Sequence, residues 1–524
     1  MIRGMIGMEF LGQACVALRS GDVEVVSDPW FSGRAHLDSW RAYPETKGPA
    51  LEAMRKRIDR STHIYISHEH ADHFDPVFLR SLSRKTLVVS EFRNRRFMDA
   101  LEALRDVHDL TVLAPGARLG LSPGCDLRII PEQPRFRTNS IGVFETQYGQ
   151  VINANDCGLN SATLSAVAKR GPVAVFMYTL NFMANGYPFP YLRSDDVDLA
   201  SRVEAVRDQI LAGYRTAVDI LRPTQAIAFA GPVTFADPIN AHLGAHPETM
   251  DWSMMLERLR EDGVNIEWPA PGSVLQLDDD GPRFVRLEDW RQLLAKDPPA
   301  PASPSAGDGP APSSDDVDQS AASCARRLSG LLRAAGKELG TAMYLSAVQD
   351  LDAIEGTDYA WTIEFRFDKS DASWERLAGR RPSPPHLHIV STAPILSAFM
   401  DGSVTMDDLL LSARARFIRD PDIFDDVLHS LLRFGHDEGS GAELVNYWRK
   451  RSSTTATISV GDAGEQWTIP KFCPHEGESL ERAEVCEGRL TCPRHKWVFD
   501  LATGDCLEGG DPGVNLYPKH TESA

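Results

Sequence analysis

The segment HEHADH at residues 68–73 constrains this chain more than any other part of its sequence. It follows residues 64–67, a short apolar run that predicts a buried strand. Three imidazoles and an aspartate crowded into so short a stretch exceed what packing requires, and these donors suit zinc, iron or manganese. The alternative without chemistry is a solvated polar loop. The segment therefore predicts a metal site at the end of a strand.

Domain organisation follows from one segment of low complexity. Residues 297–320 are rich in Pro, Ala, Ser, Gly and Asp without a hydrophobic period, which predicts a flexible linker. Before it, residues 1–296 alternate predicted strands and helices, as in a layered fold. After it, residues 321–449 predict an α+β middle domain, and residues 450–524 predict a small β-rich domain. We therefore expect an α+β multidomain protein.

Composition excludes several classes of protein. A net charge of −19 over 524 residues gives no electrostatic support for a nucleic-acid partner. No run approaches the roughly 20 apolar residues that a membrane-spanning helix needs. The N-terminus lacks a basic and then apolar signal pattern, so a cytoplasmic location without a membrane partner is expected. A homo-oligomer is left open.

A second motif lies near the C-terminus. Cys473 and His475 form a C-x-H pair, and sixteen residues intervene before Cys492 and His495, a C-x-x-H pair. Two such loops can hold a [2Fe–2S] cluster with two thiolates on one iron and two imidazoles on the other. A structural zinc site with the same donors is the alternative.

The residues around these loops, CPHEGESL and LTCPRHKWVFDLATGDC, resemble the Rieske ferredoxin family over residues 462–518. The resemblance implies a small all-β domain with a [2Fe–2S] cluster on Cys473, His475, Cys492 and His495. It also implies an electron donor, either a ferredoxin or a flavin reductase, that draws on NAD(P)H.

The first motif, within ISHEHADHFD, resembles the H-x-H-x-D-H signature of the metallo-β-lactamase superfamily. The segments GQACV and DPW, earlier in the chain, agree with this resemblance. It implies an αββα sandwich with metal ions at the loops that follow its strands. It places His68 and His70 on a first ion, and Asp72 and His73 on a second. Asp156, after a later strand, would bridge the two ions.

The chain departs from the hydrolases of that superfamily at two ligand positions. No histidine lies at residues 137–140, where the resemblance expects the third ligand of the first ion. The last family histidine would follow the predicted strand at residues 226–230, but Gly-Pro-Val stands there. His242 or His246 could replace it, or either could lie on a surface loop. One ion, or two ions with altered ligands, would leave positions for dioxygen or substrate.

The two motifs together favour redox chemistry. Zinc has no use for electrons, whereas iron with nitrogen and oxygen ligands and open positions does. The chain resembles the CMP-N-acetylneuraminate hydroxylase family, which carries its Rieske domain first rather than last. The resemblance implies a non-haem iron monooxygenase with one or two iron ions. It would use O2 and electrons from its Rieske cluster to hydroxylate or N-oxygenate a small polar metabolite.

Substrate and alternatives remain open at this point. An amine, an amino acid or a nucleotide sugar would suit the predicted chemistry. A zinc hydrolase of lactones or phosphoesters with a Rieske redox sensor is one alternative, and a non-catalytic electron-transfer protein is another. In the middle domain, residues 409–434 resemble the same hydroxylase family and, more weakly, sterol-carrier-like domains. His386 and His388 share a face of a predicted strand, which predicts a solvent or interface face, with a second metal site as the alternative.

Overall fold

The chain folds into two compact units in the computed structural model. Unit 1 comprises Met1–Ala184 and Gly213–Ser305, and unit 2 comprises Asn185–Ala212 and Ala306–Ala524. The structure describes residues 5–43, 45–131, 139–181, 189–191, 199–235, 252–288, 290, 310–354, 356, 358–377, 382–384, 386–420, 425–451, 455–460, 465–471, 473, 480–493, 496–508, 516 and 519–521.

The described residues of unit 1 include seventeen strands. These are β1 (Ile6–Phe10), β2 (Val16–Ser20), β3 (Val23–Ser27), β4 (Trp40–Ala42), β5 (His63–Ile66), β6 (Thr86–Ser90), β7 (Asp109–Leu113), β8 (Arg118–Ser122), β9 (Cys125–Pro131), β10 (Ser140–Thr146), β11 (Gly149–Asn153), β12 (Val173–Thr179), β13 (Gln225–Phe229), β14 (Val233–Phe235), β15 (Ile266–Glu267), β16 (Val274–Asp278) and β17 (Gly281–Arg286). They form an eight-stranded sheet, β17-β16-β1-β2-β3-β5-β6-β7, a seven-stranded sheet, β15-β13-β12-β11-β10-β9-β8, and a pair, β14-β4.

The two large sheets face each other across one hydrophobic core. Successive side chains of a strand point to opposite faces, so neighbours in β5 separate into two layers. Tyr65 belongs to the core shared with the second sheet. Ile64 and Ile66 belong to the layer on the other face, with Phe78 and Leu101 from helices.

Helices cover the outer faces of both sheets. Pro76–Arg80 and Arg95–Glu102 pack on the first sheet through their buried apolar residues. On the second sheet, the Tyr214 hydroxyl donates to the carbonyl of Ile227 at 3.0 Å, and its ring lies 5.8 Å from the ring of Phe176. The remaining helices with residues in unit 1 are Gly48–Ile58, Ser161–Ala168, Leu199–Leu221 and Trp252–Glu261. The predicted αββα sandwich is confirmed.

Unit 2 contains a mixed five-stranded sheet with the order β20-β19-β18-β21-β22. Its strands are β18 (Ala342–Val348), β19 (Trp361–Asp368), β20 (Asp371–Leu377), β21 (His386–Thr392) and β22 (Arg416–Asp420). Its helices are Ser314–Ala335, Ala393–Asp401, Met406–Ser412, Asp426–Phe434 and Glu438–Arg451. The mixture of strands and helices agrees with the predicted α+β middle domain.

The C-terminal segment of unit 2 is β-rich, as predicted. It forms a three-stranded sheet, β23-β24-β29, and a four-stranded sheet, β25-β26-β27-β28. The strands are β23 (Thr455–Val460), β24 (Glu465–Pro470), β25 (Glu484–Cys486), β26 (Arg489–Thr491), β27 (Val498–Asp500), β28 (Cys506–Glu508) and β29 (Lys519–Thr521). The buried residues of this segment include Trp497 and Phe499, which belong to one hydrophobic cluster.

The predicted linker is wrong in its last part. The helix Ser314–Ala335 begins there, because Ser313 and Asp316 form a capping box that satisfies backbone N–H groups at its start. Gly336, with φ 62°, ends the helix in the left-handed conformation that glycine tolerates best. Residues 297–309 lie outside the described residues, and the other domain limits stay predictions.

For His386 and His388 the sequence predicts a solvent or interface face, and the solvent part of this prediction is wrong. The two residues share one face of β21 but are only 8% and 3% exposed. Nε2 of His388 lies 2.8 Å from Oγ of Ser346, a hydroxyl on the neighbouring strand. His388 therefore belongs to a buried polar cluster that continues from Ser346 to the Thr362 hydroxyl at 2.8 Å.

Candidate metal centre

The candidate site lies where two parallel strands of the first sheet end side by side. β3 pairs with β5 in parallel register, so the residues after each strand meet at one sheet edge. Asp28 follows β3 and Ser67 follows β5. The Ser67 backbone N–H donates to Oδ1 of Asp28 at 2.8 Å, and its hydroxyl donates to Oδ2 at 2.6 Å. The first histidine of the signature, His68, follows immediately.

The second sheet contributes a carboxylate to the same place. After β11, Asn155 adopts φ 38°, and its side chain accepts the backbone N–H of Asp156 at 2.7 Å. The Asn155 amide also donates to the carbonyl of Ser140 at 3.0 Å. These bonds fix the turn that presents Asp156 to the histidines.

The two sheets approach closely beside the site. The Tyr65 hydroxyl donates to the Ser140 carbonyl at 2.8 Å, and the Ser140 hydroxyl donates to the Ser67 carbonyl at 2.7 Å. Gly142 lies against the Tyr65 ring, where a Cβ would come within 2.8 Å of Cε1. The absence of a side chain at Gly142 therefore allows the sheets to hold both halves of the site together.

His68, His70 and Asp156 form the first ligand set. One ligand atom from each lies within 4.8 Å of the others, the one such group among the residues that the structure describes. His68 is 1% exposed, and its Nε2 lies 3.7 Å from Oδ1 of Asp156. The structure thus brings together the residues that the sequence predicts for the first ion.

His73 faces the other oxygen of the same carboxylate, and Asp72 lies beside His73. Nε2 of His73 lies 3.5 Å from Oδ2 of Asp156 and 3.4 Å from Oδ2 of Asp72. Two ligand atoms that share a tetrahedral ion at about 2.1 Å lie about 3.4 Å apart. One oxygen of Asp156 therefore faces His68 and the other faces His73, which is the arrangement expected of a bridging carboxylate.

The buried imidazole nitrogens support metal binding by these residues. Nε2 of His68 and Nε2 of His73 find no hydrogen-bond partner among the described residues. Nδ1 of His73 lies 3.0 Å from Oδ2 of Asp28, and an ionised carboxylate can only accept, so Nδ1 donates. In the neutral ring, the lone pair of His73 is then on Nε2, on the side of the carboxylates, as in metal-binding histidines. The donor set fits a divalent transition metal.

The electrostatics of the centre favour a cation. Burial lowers the pKa of His68 well below its ordinary value. Burial alone would also lower the pKa of His73, but Asp156 and Asp72 outweigh it and raise that pKa well above the ordinary value. Burial would raise the pKa of Asp156, yet His68 and His73 outweigh it and hold this pKa below its usual range. A metal ion would compete with the proton for Nε2 of His73, so binding releases a proton.

The two positions that lack a family histidine have different surroundings. Asn139, within the first of these stretches, donates from Nδ2 to Oδ1 of Asp156 at 3.2 Å. Gly231 lies against the Trp252 indole, where a Cβ would come within 2.5 Å. His242 and His246, the alternative ligands, lie outside the described residues.

Two residues that contact the centre, Gln13 and His36, are not predicted from the sequence. His36 lies 3.1 Å from Oδ1 of Asp72 through its Nε2, and Gln13 donates from Nε2 to Oδ2 of Asp72 at 2.9 Å. The only sequence signals are the GQACV segment for Gln13 and, for His36, a lone histidine after the end of β3. Neither residue has a spacing relation to the signature.

In the C-terminal segment, the thiols of Cys473 and Cys492 are buried. Cys473 is 1% exposed and Cys492 is fully buried, and both belong to the same hydrophobic cluster as Trp497. The backbone N–H of Cys492 donates to the Trp497 carbonyl at 2.8 Å, which shapes the second loop. His475 and His495 lie outside the described residues.

Comparison with known families decides the nature of this segment. Residues 446–518 match the family model of the Rieske [2Fe-2S] domain. The C-terminal segment is a Rieske domain. The Rieske domain implies a [2Fe–2S] cluster, which confirms the predicted cofactor. Its four predicted ligands, Cys473, His475, Cys492 and His495, stay predictions.

The chain is similar to curated cytidine monophosphate-N-acetylneuraminic acid hydroxylases. The Mus musculus protein is 23% identical over 282 residues, which cover 52% of this chain and 47% of the relative. The Cricetulus griseus protein is 22% identical over 446 residues, which cover 80% of this chain and 74% of the relative. The chain spans about half the length of the mouse relative. The predicted resemblance to this family is confirmed.

Two solved structures show a partial likeness. CmlA, a diiron β-hydroxylase from Streptomyces venezuelae, is 16% identical, covers 55% of each chain and has a TM-score of 0.35. Igni18, a metallo hydrolase from Ignicoccus hospitalis, is 13% identical, covers 52% of this chain and 99% of its own, and has a TM-score of 0.34. Because both TM-scores are low, the assignment of the αββα fold rests on the two facing sheets of unit 1 and not on the similarity to these two structures.

No helix among the described residues combines the length and apolar character needed to cross a membrane.

Proposed function

We propose that the protein is a non-haem iron monooxygenase that receives electrons through its Rieske cluster. The observation that carries this proposal is the coexistence, in one chain, of a Rieske domain and a His/Asp ligand set in which His68 is buried and His70 and Asp156 are half-buried. A one-electron carrier serves a metal that changes oxidation state, and zinc does not. The likeness to hydroxylases over half of the chain supports the same class of reaction.

The residues at the centre have separable tasks in this proposal. His68, His70 and Asp156 would hold the first iron, and Asp72, His73 and Asp156 would hold a second. Iron in such a site supplies the activation of O2. Asp28 holds the ring orientation and the proton of His73 at Nδ1. His68, Asp72 and His73 are at most 3% exposed, so the protein excludes bulk water from this side of the centre.

The two departures from the hydrolase ligand pattern support an oxygenase over a hydrolase. Asn139 is hydrogen-bonded to Asp156, and Gly231 lies against Trp252. Fewer protein ligands leave more positions on each ion for O2 and substrate. Under the alternative function, a zinc hydrolase, the Rieske domain would have no part in turnover.

The substrate class is a small polar metabolite, hydroxylated at carbon or oxygenated at nitrogen. The curated relatives are named for a nucleotide sugar, which makes a nucleotide sugar the first compound to test. Amines and amino acids are the other classes. We also propose a ferredoxin or flavin reductase as partner, NAD(P)H as the indirect source of electrons, and a cytoplasmic location.

Turnover with labelled oxygen tests this function. The full chain, loaded with iron, would be incubated with NADPH, a ferredoxin reductase system and pools of nucleotide sugars, amines and amino acids under ¹⁸O2. We expect one pool to show a mass increase from a single ¹⁸O atom, dependent on electrons. His68→Ala and Cys473→Ser should each abolish this product.

Hydrolysis of a lactone or phosphoester that persists in Cys473→Ser would instead support the zinc hydrolase. His63→Ala provides a matched control for the loss of an imidazole, because His63 lies on β5 and its Nδ1 lies 2.8 Å from the Thr62 hydroxyl, outside the ligand sets. It should leave oxygen incorporation intact.

A further inference from the structure

His36 contacts the metal centre although it belongs to neither sequence motif. It is 2% exposed, and its Nε2 lies 3.1 Å from Oδ1 of Asp72. Its ring centroid lies 5.5 Å from the ring of His70, in an edge-on arrangement. An imidazole from the loop after β3 is therefore packed against both ligand sets.

The loop that carries His36 holds an unusual backbone conformation. His36, Leu37 and Asp38 have φ values of 48°, 55° and 61°. For a residue other than glycine, this left-handed region costs roughly 1–2 kcal/mol per residue. Such conformations persist where surrounding contacts dictate them, and they concentrate at functional sites.

Contacts on both sides of the loop fix the imidazole. Ala35 and Trp40 exchange two backbone hydrogen bonds of 3.1 and 3.0 Å, which close the loop. The Trp40 indole, 1% exposed, packs edge-on against the His36 ring with centroids 4.6 Å apart. The ring therefore points at Asp72 before any ion binds.

The two oxygens of Asp72 face different partners. Oδ2 faces the second metal position, 3.4 Å from Nε2 of His73, and accepts a hydrogen bond from Gln13. Oδ1 lies 3.1 Å from Nε2 of His36. A carboxylate only accepts hydrogen bonds, so Nε2 of His36 donates to Oδ1. The carboxylate is thereby held with one oxygen toward the ion and one toward His36.

We infer that His36 is a positioning residue for the second metal position. By holding Oδ1, it keeps Asp72 as a ligand through Oδ2 alone and prevents the carboxylate from rotating to bind with both oxygens. The ion keeps a position that a bidentate carboxylate would fill. This inference rests on the proposed function only in assuming that Asp72 and His73 bind a metal ion.

Cobalt binding to three variants of the full chain tests the inference. The protein would keep its Rieske cluster, be freed of metal at the centre, and be titrated with Co²⁺ under nitrogen, with bound ions counted after equilibrium dialysis. His36→Phe keeps a ring against Trp40 but removes the N–H donor, whereas His36→Gln keeps a donor. His108→Phe is the matched control, because His108 is a buried histidine of unit 1 that bonds the Leu79 carbonyl and not a ligand.

The expected result separates the two ions. The wild-type chain should bind two Co²⁺ ions, and His36→Phe should weaken the second by about 10–100-fold, the usual effect of losing a partner of a metal ligand. The affinity for the first Co²⁺ ion should not change in His36→Phe. His36→Gln should restore the affinity for the second ion, and His108→Phe should bind both ions as the wild-type chain does. The EPR signal of Co²⁺ should change in His36→Phe, which loss of packing alone would not cause.

Two results would overturn the inference: equal binding of both ions by His36→Phe and the wild-type chain, or equal loss in His36→Gln and His36→Phe. A wild-type chain that binds one ion would also overturn it and would leave a single-iron oxygenase intact. Two ions with the expected dependence on His36, but no oxygen incorporation, would refute the oxygenase and leave the positioning role.

Discussion

At the scale of single residues, Asp156 is the residue on which both ligand sets depend. Its two oxygens lie 3.7 Å from Nε2 of His68 and 3.5 Å from Nε2 of His73. The imidazoles come from one sheet and the carboxylate from the other. Each half of the site is incomplete without the opposite sheet, so the centre depends on how closely the two sheets pack.

The two positions without a family histidine should respond differently when histidine is introduced. Asn139→His places an imidazole where the present side chain already reaches Oδ1 of Asp156 at 3.2 Å, so we expect tighter binding of the first ion. Gly231→His drives a Cβ to within 2.5 Å of the Trp252 ring, so we expect destabilisation by about 1–3 kcal/mol and no gain in affinity. Metal affinity and the unfolding midpoint, measured for each variant, check both statements. Equal gains in affinity from the two substitutions would contradict this explanation.

Most of the side chains that the structure brings together at the centre could be predicted from the sequence, because a dense signature at a strand end fixes their spacing. Asp156 could be predicted because it also follows a strand. His36 could not, since its contact with Asp72 depends on three successive left-handed residues that no local pattern indicates. A lone histidine in a loop carries no signal of the carboxylate it will contact.

At the scale of secondary-structure elements, the contact between β5 and β10 sets the distance between the two halves of the site. Gly142→Ala would place a Cβ 2.8 Å from the Tyr65 ring, which is fully buried. We expect a loss of about 1–3 kcal/mol in the free energy of unfolding, together with weaker metal binding, because the sheets must separate. Urea unfolding and metal titration measure the two effects.

Gly7→Ala is the matched control for that substitution. Gly7 also lies in a strand of unit 1, but a Cβ there meets nothing within 4 Å. Its unfolding midpoint and metal affinity should stay near those of the wild-type chain. If Gly142→Ala behaves like Gly7→Ala, the close approach of the sheets does not control the site.

The buried histidines of β21 predict a pH dependence of stability for unit 2. Burial, and secondarily the neighbouring His386, lowers the pKa of His388 to about 4. Its unfolded pKa is about 6.5, so the unfolded chain binds more protons between these values. The contribution is present above about pH 6.5 and is lost as pH falls toward 4, by up to about 3 kcal/mol.

His388→Gln isolates this contribution, because glutamine can bond the Ser346 hydroxyl but does not titrate in this range. The loss of thermal stability between pH 7.5 and pH 5 should be smaller in the variant than in the wild-type chain. Parallel pH profiles for the two proteins would show that His388 does not cause the loss.

Element boundaries were less predictable than the elements themselves. β1 and β2 are separate strands, because residues 11–15 between them form a turn that carries Gln13 toward Asp72. Residues 314–320 have a linker-like composition but are helical, since the capping box at Ser313 and tertiary packing outweigh composition. The turn at residues 11–15 makes a contact that is distant in sequence, whereas the helix start is set by a local capping box.

At the scale of the whole molecule, two chemistries share one chain. Unit 1 holds the ligand sets, and unit 2 holds the Rieske domain. The order of the two motifs, with the signature first and the cysteines last, could be read from the sequence. The negative net charge has no specific role in this account, beyond its agreement with the expectation that nucleic acid is not a partner.

The iron content of the purified chain, combined with EPR of the reduced protein, tests the central claim most directly. A [2Fe–2S] cluster accounts for two irons. We predict more than two irons per chain and a non-haem iron signal separate from the Rieske signal. In His68→Ala, the Rieske signal should remain but the iron content should fall toward two irons per chain. In His63→Ala, the iron content should match that of the wild-type chain. Two irons together with zinc in the wild-type chain, or an iron content unchanged in His68→Ala, would contradict the account.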